Sequence, residues 1–465
     1  MERARTMQQL GQTRLDVVIN EWRSIVARPA ATAGELAGNM DALYRAVYGT
    51  DFGSLDVADV KASAEAAKLE LFDLYLTLRD RVGDWRTLGL MDGPAPGAVR
   101  HAMRVLRYTI DIVGEVAIDH SRPRAGEAPM IAFAGPPEWT LLHPALAAGT
   151  GAEPRAGDLL LMRGHLHNSA AIARIGDVDG QFSHVGIVHI DRNGRRWLVE
   201  ALIEEGSVWT PLDDVLSHSL VRAVLLRHRD AGLARRAAQV AAERVANGRR
   251  GLLGWMPYDF SMELRGDDTF FCSKLVGYGY ARASGGELTM PSFPTRLSMR
   301  NRDFFDRLGV TATTTFAPSD LELEPAFDWI AEWRDYRVTS TIRMQDILMS
   351  KLFDWMDEHD YRFREGLGIA VMALLGRFSS VWPAFAKDVL VRLGLPKVPA
   401  NMPVRTIATI GMLHKTAQPV LERLVSLDRQ RIETTRRPMH PAHVQDELER
   451  FRAASGDSIG YLVRG

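Results

Sequence analysis

Cysteine is almost absent: one residue, Cys272, in a chain of 465. A single cysteine forms no internal disulfide, so no disulfide framework holds this fold and a reducing compartment suits it. Long apolar runs are also missing. The nearest approach, Gly366 to Gly376, is shorter than the ~20 residues of a spanning helix, and Arg377 follows it. The run after Met1 is polar and helix-like, with no apolar segment of a secretory signal. Together these point to a soluble cytoplasmic protein, with export as an effector lacking a cleaved signal as the alternative. Nor is there an excess of one charge: 57 Lys and Arg against 58 Asp and Glu leave a net charge of −1. No global field therefore draws the chain to nucleic acid or to an anionic membrane. Internal repeats and low-complexity tracts are lacking too. What remains, 46% hydrophobic and 25% charged, is the balance of an ordinary globular protein, long enough for about three domains of ~150 residues.

The lone cysteine must be explained by packing or by reactivity. It lies in Asp267-Asp268-Thr269-Phe270-Phe271-Cys272-Ser273-Lys274-Leu275-Val276. Asp268 and Thr269 are good helix caps, and Phe270 to Ala283 is apolar at helical spacing, which places Cys272 in a first helical turn. Free amide N–H groups and the positive end of the dipole stabilise a thiolate there. A buried core thiol is the competing reading.

A nucleophilic cysteine needs a base, and the base needs a group to hold it. Among thirteen histidines, His184 stands in a β-branched run, Ser183-His184-Val185-Gly186-Ile187-Val188-His189-Ile190. The glycine two residues on permits a close approach. A turn at Asp191-Arg192-Asn193-Gly194 leads to a second strand, Arg196 to Leu202, so the pair predicts a hairpin with His184 opposite a residue between Glu200 and Ile203. Glu200 interrupts an apolar strand, at a cost unless its carboxylate is paired. An imidazole N–H next door would pair it and fix the tautomer of a base. His184 alone reads better as a hydrogen-bonded core histidine; the three residues together point to catalysis.

The blocks Pro154-Arg155-Ala156-Gly157-Asp158-Leu159-Leu160-Leu161, Ser183 to Val188, Val199-Glu200-Ala201, Pro257-Tyr258-Asp259-Phe260 and Phe271 to Val276 occur in that order. They resemble the circularly permuted NlpC-type papain-like hydrolases of the YiiX/YebB-like branch, related in architecture to lecithin:retinol acyltransferase. In ordinary papain-like enzymes the cysteine helix comes first; here the histidine and acid precede it, as in the permuted branch. The resemblance spans residues 150 to 310. It implies an α+β fold, a permuted papain-like core of antiparallel sheet or barrel packed on the cysteine helix. Cys272 would be the nucleophile, His184 the base and Glu200 the orienting acid. Tyr258 would line the site near the acyl carbonyl, or else pack as a strand-end tyrosine under the helix. The Cys272 backbone N–H is a natural oxyanion donor. Lys274 stands where a small or acidic residue is more usual after Cys-Ser.

Three regions follow: a helical N-terminal region with linker, 1–150; the papain-like domain, 151–312; and a helical C-terminal domain, 313–465. Helices are expected at Asp56 to Val82, Ala98 to Ile118, Ala231 to Asn247, Pro325 to Arg334, Met344 to Glu358, Gly366 to Val381, Phe385 to Leu393 and Val404 to Leu427, with the last forty residues loosely held. Gly164 to Gly180 reads as a polar insertion. Gly164-His165-Leu166-His167 looks like half a metal site, but no spaced set completes it, so neither metal nor cofactor is implied. Arg235-Arg236 and Gly248-Arg249-Arg250-Gly251 read as solvated arginines before phosphate ligands. The cluster Phe378, Val381, Trp382 and Phe385 reads as interdomain core, with peripheral membrane contact the alternative. The expected activity is a cysteine hydrolase or acyltransferase on an amide, ester or thioester, its substrate a peptide or a lipid acyl group. A binding or structural protein retaining the core is the alternative. The helical flanks would govern which substrate arrives.

Overall fold

The computed structural model describes residues 14–50, 55–118, 139–146, 152–217, 220–250, 254–297, 302–364, 374 and 401–465. Four helices open the chain: α1 (Leu15–Val26), α2 (Ala33–Tyr48), α3 (Val57–Thr87) and α4 (Ala95–Ala117). Thr32 and Asp56 cap the second and third by accepting backbone N–H bonds from Glu35 and Ala58. In α1, Leu15, Val18, Ile19, Trp22 and Ile25 recur at helical spacing and are all buried.

The core is one antiparallel sheet of seven strands. In chain order these are β1 (Thr140–Leu142), β2 (Leu159–Gly164), β3 (His184–Ile190), β4 (Arg196–Leu202), β5 (Gly206–Pro211), β6 (Leu220–His228) and β7 (Phe327–Arg334). Their spatial order is β1-β7-β6-β2-β3-β4-β5. Alternation assigns the two faces. Leu159, Leu161, Val185, Ile187, Val199 and Val224 pack with helices α5 (Ala231–Arg249) and α6 (Cys272–Ala283). Leu160, Met162, Val188, Leu198 and Leu225 pack on the other side with Ile330, Ala331 and Trp333. Gly157 enters the sheet at φ +93°, with the α5 backbone at Ala234 where a Cβ would stand; Asp158 beside it pairs with Arg227 at 2.7 Å. A further apolar cluster joins α7 (Thr339–Glu358), α8 (Val404–Thr435) and α9 (Pro441–Ser455).

Several expectations are corrected. The helix expected at Pro325 to Arg334 is instead a strand, Phe327–Arg334, that fills the gap between β1 and β6; Phe327 and Trp329 join the helix-covered layer, and a register shift at Leu225/Leu226 turns Ala331 and Trp333 to the other. Gly164 to Gly180 holds a short helix, His167–Ile172, whose Ala170 and Ala171 are buried. The last forty residues are tied down, because Val444 and Leu448 of α9 and Ile459 and Leu462 of a small sheet are buried in the C-terminal cluster. Strand β5, which had no counterpart in the expected elements, completes the hairpin layer as an edge. The expected helices at 366–381 and 385–393, and the Phe378, Val381, Trp382 and Phe385 cluster, lie outside the described residues.

Helix α4 is joined to the sheet by buried ion pairs. Arg107 bonds Glu322, and Asp111 accepts from Arg222 at 2.6 Å and Arg334 at 2.9 Å. Glu115 takes Arg343 of α7 at 2.7 Å. Burial alone would push the Asp111 carboxyl up, but Arg222 and Arg334 overcome it and hold the group below its ordinary value.

Candidate active site

The cysteine helix begins later than its caps suggest. Asp259 donates its N–H to Phe270 O at 3.0 Å, and Tyr258 bridges Phe270 in parallel, so Phe270 is held extended. Phe271 is the residue before the first turn and offers no side-chain cap, which makes Cys272 the first helical residue. The uncapped amides of that turn are therefore free to face an anion. Ser273 turns the other way and donates its hydroxyl to Phe316 O.

Helix α6 packs against β3 and β4, which brings Cys272 to His184 at the first residue of β3. His184 Nε2 donates to Glu200 Oε2 at 2.6 Å. That bond leaves Nδ1 as the ring nitrogen available to the thiol, with which His184 is also hydrogen-bonded. The β3–β4 ladder pairs Ile187 with Val199 and Val188 with Leu198. Continued to the strand end, it sets His184 opposite Leu202, within the expected range, and Glu200 reaches the ring diagonally. At Gly186 the close neighbour is the Leu198 side chain, 2.5 Å from where a Cβ would sit. The second Glu200 oxygen accepts the hydroxyl of Thr210 on β5.

The electrostatics at this contact favour an ion pair. Burial disfavours a charged imidazole, yet the hydrogen bonds to Cys272 and Glu200 and their negative charges hold His184 up at about 10. Burial likewise pushes the Cys272 thiol up. The His184 hydrogen bond and charge, aided by the backbone N–H groups of Val185 and Ser273, bring it below its ordinary value. Both shifts favour the thiolate–imidazolium form of the pair, with Cys272 only 5% exposed.

Tyr258 is buried close by. Burial first, then the negative charges of Cys272, Glu204 and Asp259, push its phenol far above the ordinary value, so it stays a protonated donor. Its segment is fastened from three sides. Ser207 N bonds Met256 O at 2.9 Å, and Gly206, at φ +70°, lets that carbonyl lie where a Cβ would be. Lys274 Nζ reaches Asp259 Oδ2 at 2.7 Å and Arg265 O at 2.9 Å. Asn401 Nδ2, at the head of α8, donates to Tyr258 O at 2.8 Å. The unusual lysine two residues after the cysteine is thus the buried partner of the aspartate two residues before Ser261, which that carboxylate also holds.

Other expected constellations fall elsewhere. His167 Nε2 meets Gln418 Oε1 at 2.9 Å and its ring lies 5.1 Å from His414, a packing contact between the short helix and α8. Among the described residues no group of three His, Cys, Asp or Glu could hold a metal ion. Arg235, Arg236, Arg249 and Arg250 are solvent-exposed. Met256, two residues before Tyr258, is buried in the core. Sequence reasoning missed Thr210, Asp259 and Asn401. The alternation Val208-Trp209-Thr210 after Gly206 signals a strand and could have exposed the first; Asn401 is 143 residues from its partner and carries no local signal.

A histidine strand preceding the cysteine helix, with the sheet between helices, defines a permuted papain-like unit. Residues 153–327 match the family described as permuted papain-like amidase enzymes, YaeF/YiiX, C92 family. No curated protein and no solved structure matches the chain. Among the described residues no helix is long and apolar enough to cross a membrane.

Proposed function

We propose that this chain is a cysteine-dependent amidase whose nucleophile is Cys272, base and acid His184, and orienting group Glu200. The observation that supports it most is the continuous hydrogen-bonded line Cys272–His184–Glu200, with the thiol lowered and the imidazole raised. The thiolate attacks the amide carbon, and the tetrahedral oxyanion is met by the Cys272 backbone N–H, with Tyr258 as a second donor. His184 passes its Nδ1 proton to the departing amine as the C–N bond breaks. Water then loses a proton to His184, attacks the thioester carbonyl and releases the acid, restoring the pair. An amine or alcohol in place of water would give acyl transfer; the family's description as amidases favours hydrolysis and a peptide-type substrate. A single cysteine poised as thiolate also suits a reducing compartment.

The test combines a panel of peptidyl amides, simple esters and thioesters with intact-mass detection of the acyl-enzyme. Wild type should cleave at least one amide and accumulate an acyl adduct on Cys272, while Cys272→Ala and His184→Ala do neither. Full turnover by Cys272→Ala would overturn the reading, and absence of any adduct with every acyl donor would favour a binding protein.

A further inference from the structure

We propose that Thr210 is a positioning residue of this site, acting through Glu200 to keep the Cys272–His184 pair ionised. The inference rests on the catalytic reading above and extends it to a fourth side chain on the edge strand. Glu200 is 3% exposed, so each carboxylate oxygen needs a partner from the protein. Oε2 takes the His184 Nε2–H, and Oε1 takes the Thr210 hydroxyl. The ladder explains the reach: Glu200 lies opposite Val208 and Leu198 opposite Thr210, so Thr210 is the diagonal neighbour of Glu200 on the same face.

The hydroxyl does two things to that carboxylate. It fixes the rotamer, so that one oxygen always faces the imidazole. It also donates to the charged form, which a buried carboxylate otherwise resists. Without it, Oε1 would be a buried acceptor with no donor, and the carboxylate would be free to rotate away from the imidazole. A carboxylate held less firmly stabilises the imidazolium less, and a weaker imidazolium stabilises the thiolate less. The sign is definite: loss of the hydroxyl raises the thiol pKa and lowers the histidine pKa together. A residue that merely packed the edge strand would shift stability and leave both titrations in place.

The experiment exploits the single cysteine, since every alkylation event in the chain reports Cys272. Iodoacetamide rates are measured against pH on the full chain for wild type, Thr210→Val, Thr210→Ser and Glu200→Gln, with and without Thr210→Val. Folding is checked by thermal melts, and Thr210→Ala replaces the valine variant if that fails to fold. Thr210→Val should raise the thiol pKa by about half to one unit, and lower kcat/KM about tenfold on any turned-over substrate. Both limbs of the pH profile should move inward. Thr210→Ser should behave as wild type, and Thr210→Val should add nothing in the Glu200→Gln background. A valine profile that overlays wild type, or a valine effect that persists beside Glu200→Gln, overturns the role of Thr210 alone. A wild-type thiol that titrates like free cysteine takes down the catalytic reading with it.

Discussion

Two opposite shifts at the Cys272–His184 contact set how the candidate site responds to pH. The raised His184 contributes stability that is complete below the unfolded imidazole value of ~6.5 and is lost as pH climbs to about 10. The lowered Cys272 contributes stability that is complete above the unfolded thiol value of ~8.5 and is lost as pH falls through its folded value. At pH values below ~8.5 that lie above both ~6.5 and the folded Cys272 value the two slopes cancel, because folded and unfolded pairs each carry one proton, placed differently. The difference in unfolding free energy between wild type and Cys272→Ala should therefore be flat across that window and shrink as pH rises from ~8.5 toward 10, as urea titrations at a series of pH values will show. The alkylation rate should titrate at least about one unit below ~8.5, and kcat/KM should fall on an alkaline limb near 10. Glu200→Gln should be milder than loss of either partner, by about a hundredfold in kcat, since nucleophile and base act as a unit while the orienting group tunes them. Equal loss in all three variants would assign Glu200 a larger part. His184 and Glu200 were legible as a pair from strand pattern and turn spacing; Thr210 was not, because it belongs to a strand that only the ladder reveals.

Among the elements, the Tyr258 segment and helix α6 depend on the buried Lys274–Asp259 pair. Breaking a buried pair strands one charge, at a cost of about 3–5 kcal/mol. Lys274→Met should lose stability on that scale in urea denaturation, whereas Lys274→Met with Asp259→Leu should recover most of it. A change within about 0.5 kcal/mol for the single variant would show that Asp259 is satisfied without the lysine. Helix type and position were readable where apolar spacing was regular, as in α3, α4, α5 and α7. Strand β7 was misread because eight residues are too few to separate the two periods, and a register shift at Leu225/Leu226 lets both Ile330 and Ala331 meet the same apolar layer. The start of α6 was misplaced by two residues because Phe270 is claimed by Tyr258 and Asp259, a long-range demand that overrides the Asp268 and Thr269 caps.

In the whole molecule the flanks are built into the core. Every motif lies between residues 150 and 310, yet β7 comes from beyond that window and separates β6 from β1, itself contributed from upstream. Helix α4 meets the sheet through Arg107 and Asp111, and α7 through Glu115 and Arg343. A chain ended at residue 315 loses β7, exposes β6 as an apolar edge and leaves Asp111 and Arg107 short of partners. It should be insoluble and fail to show a lowered thiol pKa, by contrast with the full chain. A soluble truncated core with wild-type labelling would contradict this and restore the flanks to a purely gating part.

The order of motifs, the hairpin, the cysteine helix and the classes of residue for base and acid were all decided locally, by periodicity, turn chemistry and the scarcity of cysteine. Those signals are short-range, so one chain suffices to read them. Which strand lies beside which, that Lys274 meets Asp259, that Asn401 reaches Tyr258 and that Thr210 completes Glu200 were decided by the tertiary structure alone. Each of these is a buried polar contact, satisfied by whichever partner packing brings within about 3 Å, and sequence distance says nothing about that.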